Sequence, residues 1–467
     1  MHFKFFIKTE MKKLFFIPLI ICQCVFSQSV ADNLDKSVKE MLSASNALSA
    51  SLSFYVSDEN GNQIYEYNGN KGLSTASTQK IFTSAAALET LGKDYQFKTT
   101  ASYSGKISNG TLDGDLYITS NGDPTLGTWR YENYKPENFK QQLLEAIRKS
   151  GIKKITGNLV VDDSYFDFQS TPGGWPWNDM GNYYGAGTFG VNWRENQFDI
   201  NINGNQFKSF SYDFANVNWI NELKTGGSSD QSLIFTAPHS ETALINGMLP
   251  AGKVTTVSGA TPNPPMQLAT EIRKMLEDNA ISVSGRATTF YNEKLAGKSV
   301  TKAPNQNQIF VYKSPTLDKI VYWFLRKSIN LYGETLLKTM AKEKRNNPSF
   351  ETGVDFLRDF WKSKGINPMM INFADGSGLS PQNYVSAKAQ VQALLYAKKQ
   401  SWFGVFYDGF PTQNGIKMKS GTIKDSKSFA GYETSKNGKN YVFSIILNNY
   451  QGGSISNALF KILDNLK

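Results

Sequence analysis

The chain has 467 residues and a formal net charge of +10 that is spread along its length, with no Lys/Arg block of the kind that marks a nucleic-acid arm, so no nucleic-acid partner is expected. Both cysteines, Cys22 and Cys24, and one of its two histidines, His2, lie within the first 27 residues. Once that segment is removed, a Cys nucleophile, a disulfide and a Cys/His zinc site are all excluded.

The first element in chain order is that segment. Lys12 and Lys13 precede an apolar run over 14–25, and Val25-Phe26-Ser27 supplies small residues for cleavage. This reads as a secretory signal peptide over 1–27. The run is about half of the roughly 20 residues a spanning helix needs, so no integral membrane segment is expected after removal. The mature chain keeps a charge of +7, because four lysines and one glutamate leave with the signal. With about 440 residues it is expected to form two or three domains. Its one remaining histidine, His239, sits in a Pro-His-Ser stretch and is expected at the surface, and the chain has no G-x-S-x-G elbow. A nucleophile here therefore calls for Lys or a carboxylate as its base.

A helix is expected over 34–42, followed by a hairpin in which 52–56 and 63–67 turn through Asn60-Gly61. Ser77 then opens a helical segment over 81–91 that stops at Gly92. From 93 to about 300 the texture changes to short β-like runs broken by Gly, Asn and Pro, with helical stretches only near 136–149 and 265–276. Helices return at 317–324, 331–342, 353–364 and 386–398, with Ser386 as N-cap. Three strands over 415–419, 428–434 and 441–447 and a closing helix over 457–466 complete the chain. The N-terminal hairpin and these three strands can form one five-stranded antiparallel sheet.

Three short motifs carry chemistry. In Ser77-Thr78-Gln79-Lys80, a serine three residues before a lysine puts both on one face of a helix start, with the hydroxyl at the positive end of the dipole. Desolvation and nearby charge can lower the pKa of such a lysine until it accepts the hydroxyl proton. Ser328-Ile329-Asn330 lies between two helices and can reach a second hydroxyl and an amide into a cleft. Lys419-Ser420-Gly421-Thr422 ends a strand, where a cation, a hydroxyl and a close backbone can receive a carboxylate. Decoys fail on context: Ser150 to Lys153 follows a helix and contains Gly151, Lys224-Thr225-Gly226 sits in a Gly/Ser loop, and Ser435-Lys436-Asn437 occupies a hairpin turn.

The trio resembles the S-x-x-K, S-D-N and K-T-G set of penicillin-binding proteins and class A β-lactamases. A gap of 251 residues between Ser77 and Ser328 is far longer than in β-lactamases. Together with Asp123-Pro124-Thr125-Leu126, Gly157 to Asp162, Gly174-Trp175-Pro176-Trp177-Asn178-Asp179 and Asp375-Gly376-Ser377-Gly378-Leu379-Ser380, it makes the chain similar to the D-alanyl-D-alanine carboxypeptidase/endopeptidase family of the penicillin-binding protein 4 type. Ile329 stands where many relatives have Asp, and Ser420 where Thr is commoner.

The resemblance implies an α+β fold. A transpeptidase/β-lactamase-like domain from 28–92 and 303–467 would carry an inserted domain, 93–192 with 263–302, and a second nested β-rich domain, 193–262. It implies that Ser77 attacks the penultimate D-Ala carbonyl with Lys80 as base, that Ser328 relays a proton to the leaving amine, and that Asn330 orients Lys80 and the substrate. Lys419, Ser420, Gly421 and Thr422 would bind the terminal carboxylate, and the N–H groups of Ser77 and Thr422 would form the oxyanion hole. Asp162 matches a position that can meet the amine of the substrate's diamino acid, and equally reads as a strand-end turn residue. The implied partners are peptidoglycan stem peptides and β-lactam antibiotics in the periplasm or cell envelope, with no metal or organic cofactor. The alternatives are a non-catalytic peptidoglycan-binding protein, or a β-lactamase or esterase on the same fold.

Overall fold

The computed structural model describes residues 29–299, 302–304 and 307–467. The signal peptide expected at 1–27 lies outside these residues. The two ends of the chain meet in one antiparallel sheet, in the order Gln63–Tyr67, Ser51–Asp58, Asn440–Asn448, Ser426–Thr434, Ile416–Ile423 and Thr412–Gln413. It has six strands rather than five, because the two-residue strand Thr412–Gln413 folds back on Ile416 and Lys417. Beyond Lys417, the strand Ile416–Ile423 pairs with Ser426–Thr434 on one side only. Residues 419–423 therefore present an open edge.

Both faces of the sheet are covered, so its central strands are buried nearly end to end. Alternation sends Leu52, Phe54 and Val56 into a core with Leu34, Val38, Leu459 and Leu463 from the first and last helices. Tyr55, Val442 and Ile446 face the other way, into a larger core built on Lys80–Leu91, Leu317–Lys327, Asn330–Arg345, Phe350–Ser363 and Ala387–Lys398. Ser386 caps the last of these by accepting from the Ala389 N–H.

Between Phe97 and Ser314 the chain builds separate cores. A mixed five-stranded sheet, ordered Ala287–Thr289, Leu159–Asp162, Leu116–Ser120, Lys98–Tyr103 and Gln308–Lys313, packs beneath the helices Pro136–Lys149 and Pro264–Asp278. Two three-stranded sheets farther out enclose Phe198, Ile200, Ile202, Leu223, Ile245 and Leu249. One boundary differs from the expectation of 303. Gln308–Lys313 is an edge strand of the inserted sheet, because Phe310 and Tyr312 pack on Phe139. The chain leaves and returns side by side, with the Ser314 N–H donating to the Phe97 carbonyl and the Phe97 N–H donating to the Ser314 hydroxyl.

Candidate active site

Ser77 lies in the 3-10 turn Ala76–Gln79 that leads directly into the helix Lys80–Leu91. Ala76, just before it, takes a left-handed φ of 46°, a conformation a non-glycine residue holds only when its surroundings impose it. A buried polar chain does so. Ser428 Oγ donates to the Thr75 carbonyl at 2.5 Å and lies 3.0 Å from Thr78 Oγ1. Gln390 Nε2 donates to Thr78 Oγ1 at 2.8 Å, and Ser444 Oγ donates to Gln390 Oε1 at 2.6 Å. The turn is thereby fastened to two strands and a helix by groups that would be costly to leave unpaired. Gly421 brings the strand edge against it: a Cβ there would stand 2.3 Å from the Thr75 carbonyl oxygen and 2.9 Å from the Ser77 nitrogen.

Lys80 is fully buried, and its Nζ has three hydrogen-bond partners: Ser77 Oγ at 2.9 Å, Asn330 Oδ1 at 2.6 Å and the Ser377 carbonyl at 2.7 Å. Burial pushes the ammonium down to about 7, against the opposing pull of Asp375 and Glu334. Near neutrality a substantial fraction of the amine is therefore free base. With two N–H groups held by the Asn330 and Ser377 oxygens, its lone pair is left for the Ser77 hydroxyl.

Asp375 holds the loop that supplies the Ser377 carbonyl. Its carboxylate accepts from the backbone N–H of Gly378 at 2.7 Å and of Ser380 at 2.6 Å, from Asn383 Nδ2 at 2.9 Å and from Trp175 Nε1 at 3.0 Å. Glu334, one helical turn beyond Asn330, accepts from the Gly376 N–H at 2.9 Å. Burial, then the Asp375 charge, raise its pKa.

Ser328 also adopts a left-handed φ, 59°, where the helix Leu317–Lys327 ends. That corner lets the next helix begin at Asn330, whose Nδ2 donates to the Tyr184 carbonyl of the inserted segment at 2.7 Å. Lys419, 2 % exposed, donates to Ser328 Oγ at 3.0 Å and to the Ser420 carbonyl at 2.7 Å. Burial, together with the nearby charges of Lys80 and Lys427, holds its pKa well below the usual lysine range.

The structure thus joins Ser77, Lys80 and Asn330 in one cluster, and Ser328 with Lys419 in another. Ser420 accepts from Gln413 Nε2 at 3.0 Å, and Thr422 Oγ1 accepts from Lys427 at 2.7 Å. Asp162 joins neither cluster. Its carboxylate accepts from the backbone N–H groups of Ser164 and Ala303, as a turn residue does. It lines a groove whose wall includes Lys342, about 18 Å along the helix from Asn330 at 1.5 Å per residue. His239 is half-buried rather than at the surface, stacked on Phe168 with ring centroids 4.6 Å apart. Burial lowers its pKa to about 4. Trp175 is buried between the inserted segment and Asp375, while Trp177 is exposed.

Sequence reasoning missed the acceptors on Ser377 and Tyr184, which are backbone carbonyls, and the side chains of Glu334 and Lys427. The Asp375 to Ser380 motif was visible as a string. Its task, presenting one carbonyl to a lysine nearly three hundred residues earlier, was not.

A profile described as "D-Ala-D-Ala carboxypeptidase 3 (S13) family" matches residues 34–466. The chain is 27% identical over 436 residues to the D-alanyl-D-alanine carboxypeptidase DacB of Haemophilus influenzae, covering 87% of each. It is 25% identical over 428 residues to a D-alanyl-D-alanine carboxypeptidase of Actinomadura sp., covering 84% of this chain and 76% of that one. Among solved structures, penicillin binding protein 4 of Haemophilus influenzae superposes with a TM-score of 0.78 at 24% identity, covering 93% of this chain and 98% of that one. A further structure of that protein is complexed with a β-lactam. The chain belongs to the D-Ala-D-Ala carboxypeptidase 3 (S13) family and is a serine-type D-Ala-D-Ala carboxypeptidase.

Proposed function

We propose that Ser77 is the acylated nucleophile and Lys80 its general base. The Ser77 proton passes to Lys80 Nζ as Oγ attacks the carbonyl of the penultimate D-Ala, and the resulting oxyanion is received by the N–H groups of Ser77 and Thr422. As the tetrahedral intermediate collapses, Ser328 gives its proton to the departing D-Ala amine and is reprotonated by Lys80, which returns to the free base, while Lys419 stabilises the charge around that hydroxyl. Water then cleaves the Ser77 ester, with Lys80 taking the water's proton and returning it to Ser77 Oγ as the ester bond breaks. Lys419, Ser420 and Thr422 bind the terminal carboxylate, which places the scissile bond along the open strand edge at 419–423. Gly421 lets that edge come close to Ser77.

The substrates are peptidoglycan stem peptides, and crosslinked peptides are cut at the same nucleophile as an endopeptidase action. β-Lactams acylate Ser77 because their strained amide presents the same carbonyl and carboxylate. The signal-like N-terminus assigns this work to the periplasm or cell envelope, and among the described residues no helix is long and apolar enough to cross a membrane. Asp162, held by two backbone N–H groups, is assigned a turn role rather than contact with the diamino acid.

The observation that carries this reading is the hydrogen bond between the Ser77 hydroxyl and a buried lysine whose pKa is lowered to about 7. Intact-protein mass spectrometry after brief exposure to benzylpenicillin tests it. The expected result is one adduct on the wild type and none on Ser77→Ala. No adduct on folded wild type would sink the catalytic reading in favour of recognition alone, and drug turnover without an adduct would favour a β-lactamase.

A further inference from the structure

The carboxylate-binding strand has a second cation that the motif does not contain. Ile416–Ile423 and Ser426–Thr434 form a tight hairpin in which Thr422 lies directly opposite Lys427 and Ser420 opposite Phe429. Side chains opposite one another, or two apart along a strand, share a face of the sheet. Ser420, Thr422, Lys427 and Phe429 therefore stand together, while Lys419 and Gly421 point to the Ser77 side. Lys427 Nζ donates to Thr422 Oγ1 at 2.7 Å, and its charge lies 5.1 Å from the centre of the Phe429 ring. Among the described residues it pairs with no carboxylate.

An ammonium donating to a hydroxyl oxygen occupies a lone pair and leaves the hydroxyl hydrogen to point elsewhere. Thr422 is exposed at the open edge of the strand, so its hydrogen is free for a ligand that comes to that edge. We propose that Lys427 is a positioning residue for recognition of the substrate's terminal carboxylate, polarising the Thr422 hydroxyl toward that anion and adding a positive charge behind it. The proposal rests on the assignment of the Lys419 to Thr422 strand to carboxylate binding. Its electrostatic reach is visible at Lys419, where Lys427 is one of the two positive neighbours that disfavour the charged amine. Burial disfavours the charge of Lys427 as well. A site with three lysines, Lys80, Lys419 and Lys427, is one in which an incoming carboxylate relieves mutual repulsion.

The test compares acylation of full-length mature enzyme by benzylpenicillin and by its methyl ester, which keeps the strained amide and lacks the anion. For Lys427→Met, the second-order rate constant with benzylpenicillin is expected to fall about tenfold while that with the ester changes less than about twofold. Lys427→Arg should recover most of the loss, and in a Thr422→Ala background Lys427→Met should have little further effect. An equal loss with both compounds would reduce Lys427 to a structural role, and no loss with either would remove it from recognition; both results overturn the proposal. If the wild type itself does not prefer the acid to the ester, while Ser77 is still acylated, the carboxylate assignment of the strand fails and the proposal fails with it. If Ser77 is not acylated at all, the fault lies with the catalytic reading.

Discussion

Lys80 and Lys419 are both buried and both hydrogen-bonded to a serine hydroxyl, yet they keep different company. Behind Lys80 stand two carboxyl groups, Asp375 and Glu334, which partly offset desolvation and leave its pKa near 7. Around Lys419 the charges that matter are Lys80 and Lys427, and they add to desolvation instead of opposing it. The same side chain is thus prepared for two tasks. Lys80 is balanced by the protein's own acids so that it can gain and lose a proton during turnover. Lys419 lacks its anion until a ligand supplies one, so binding a carboxylate should favour its charged form.

The sharpest way to break this contrast is to remove each amine and change the ligand's charge. Lys80→Met should slow acylation by about a thousandfold or more with both benzylpenicillin and its methyl ester, because the proton acceptor is lost whichever ligand is bound. Lys419→Met should cost about a hundredfold with benzylpenicillin and clearly less with the ester, since the lost partner is the ligand's carboxylate. If the two variants lose the same factor with the two compounds, measured by stopped-flow acylation, the division of labour is wrong. The smallest effect concerns the acids behind Lys80. Since the free amine is the active form, kcat/KM should rise with pH to a plateau with a midpoint near 7 and fall as Lys80 is protonated below it. Glu334→Gln removes a group that supports the charged amine, so the midpoint should move down, by less than about one unit because burial already keeps Glu334 mostly protonated. An upward move would contradict the assignment.

How much of this the sequence displays depends on where each group's chemistry resides. Ser77 and Lys80 are three residues apart, so a helix start brings them together without help from the rest of the fold, and the motif is readable as it stands. Ser328, Asn330 and Lys419 are readable as motifs, but nothing local says that Asn330 reaches Lys80 and Ser328 reaches Lys419. The Ser377 and Tyr184 carbonyls carry no side-chain signature, since every residue has one. Lys427 becomes visible only with the hairpin register, which pairs it with Thr422 across a two-residue turn. The edge strand Gln308–Lys313 escaped because its pairing partner, Lys98–Tyr103, is some two hundred residues away. His239 was misplaced because Phe168, on which it stacks, lies some seventy residues earlier in the sequence.

The inserted segment meets the helix Asn330–Arg345 at several points: the Tyr184 carbonyl receives Asn330, Glu195 receives the Tyr332 hydroxyl at 2.8 Å, and Asp167 receives Lys338 at 2.5 Å. Trp175 adds a further contact, to Asp375. Anyone seeking a minimal enzyme by excising 98–313 would orphan an amide hydrogen beside the base, a phenol, a buried ammonium and one lone pair of the carboxylate that shapes the Ser377 loop. The insert is therefore a load on which the reaction centre leans. Shortening it would have to stay within the two three-stranded sheets, 197–260, and stop before Glu195.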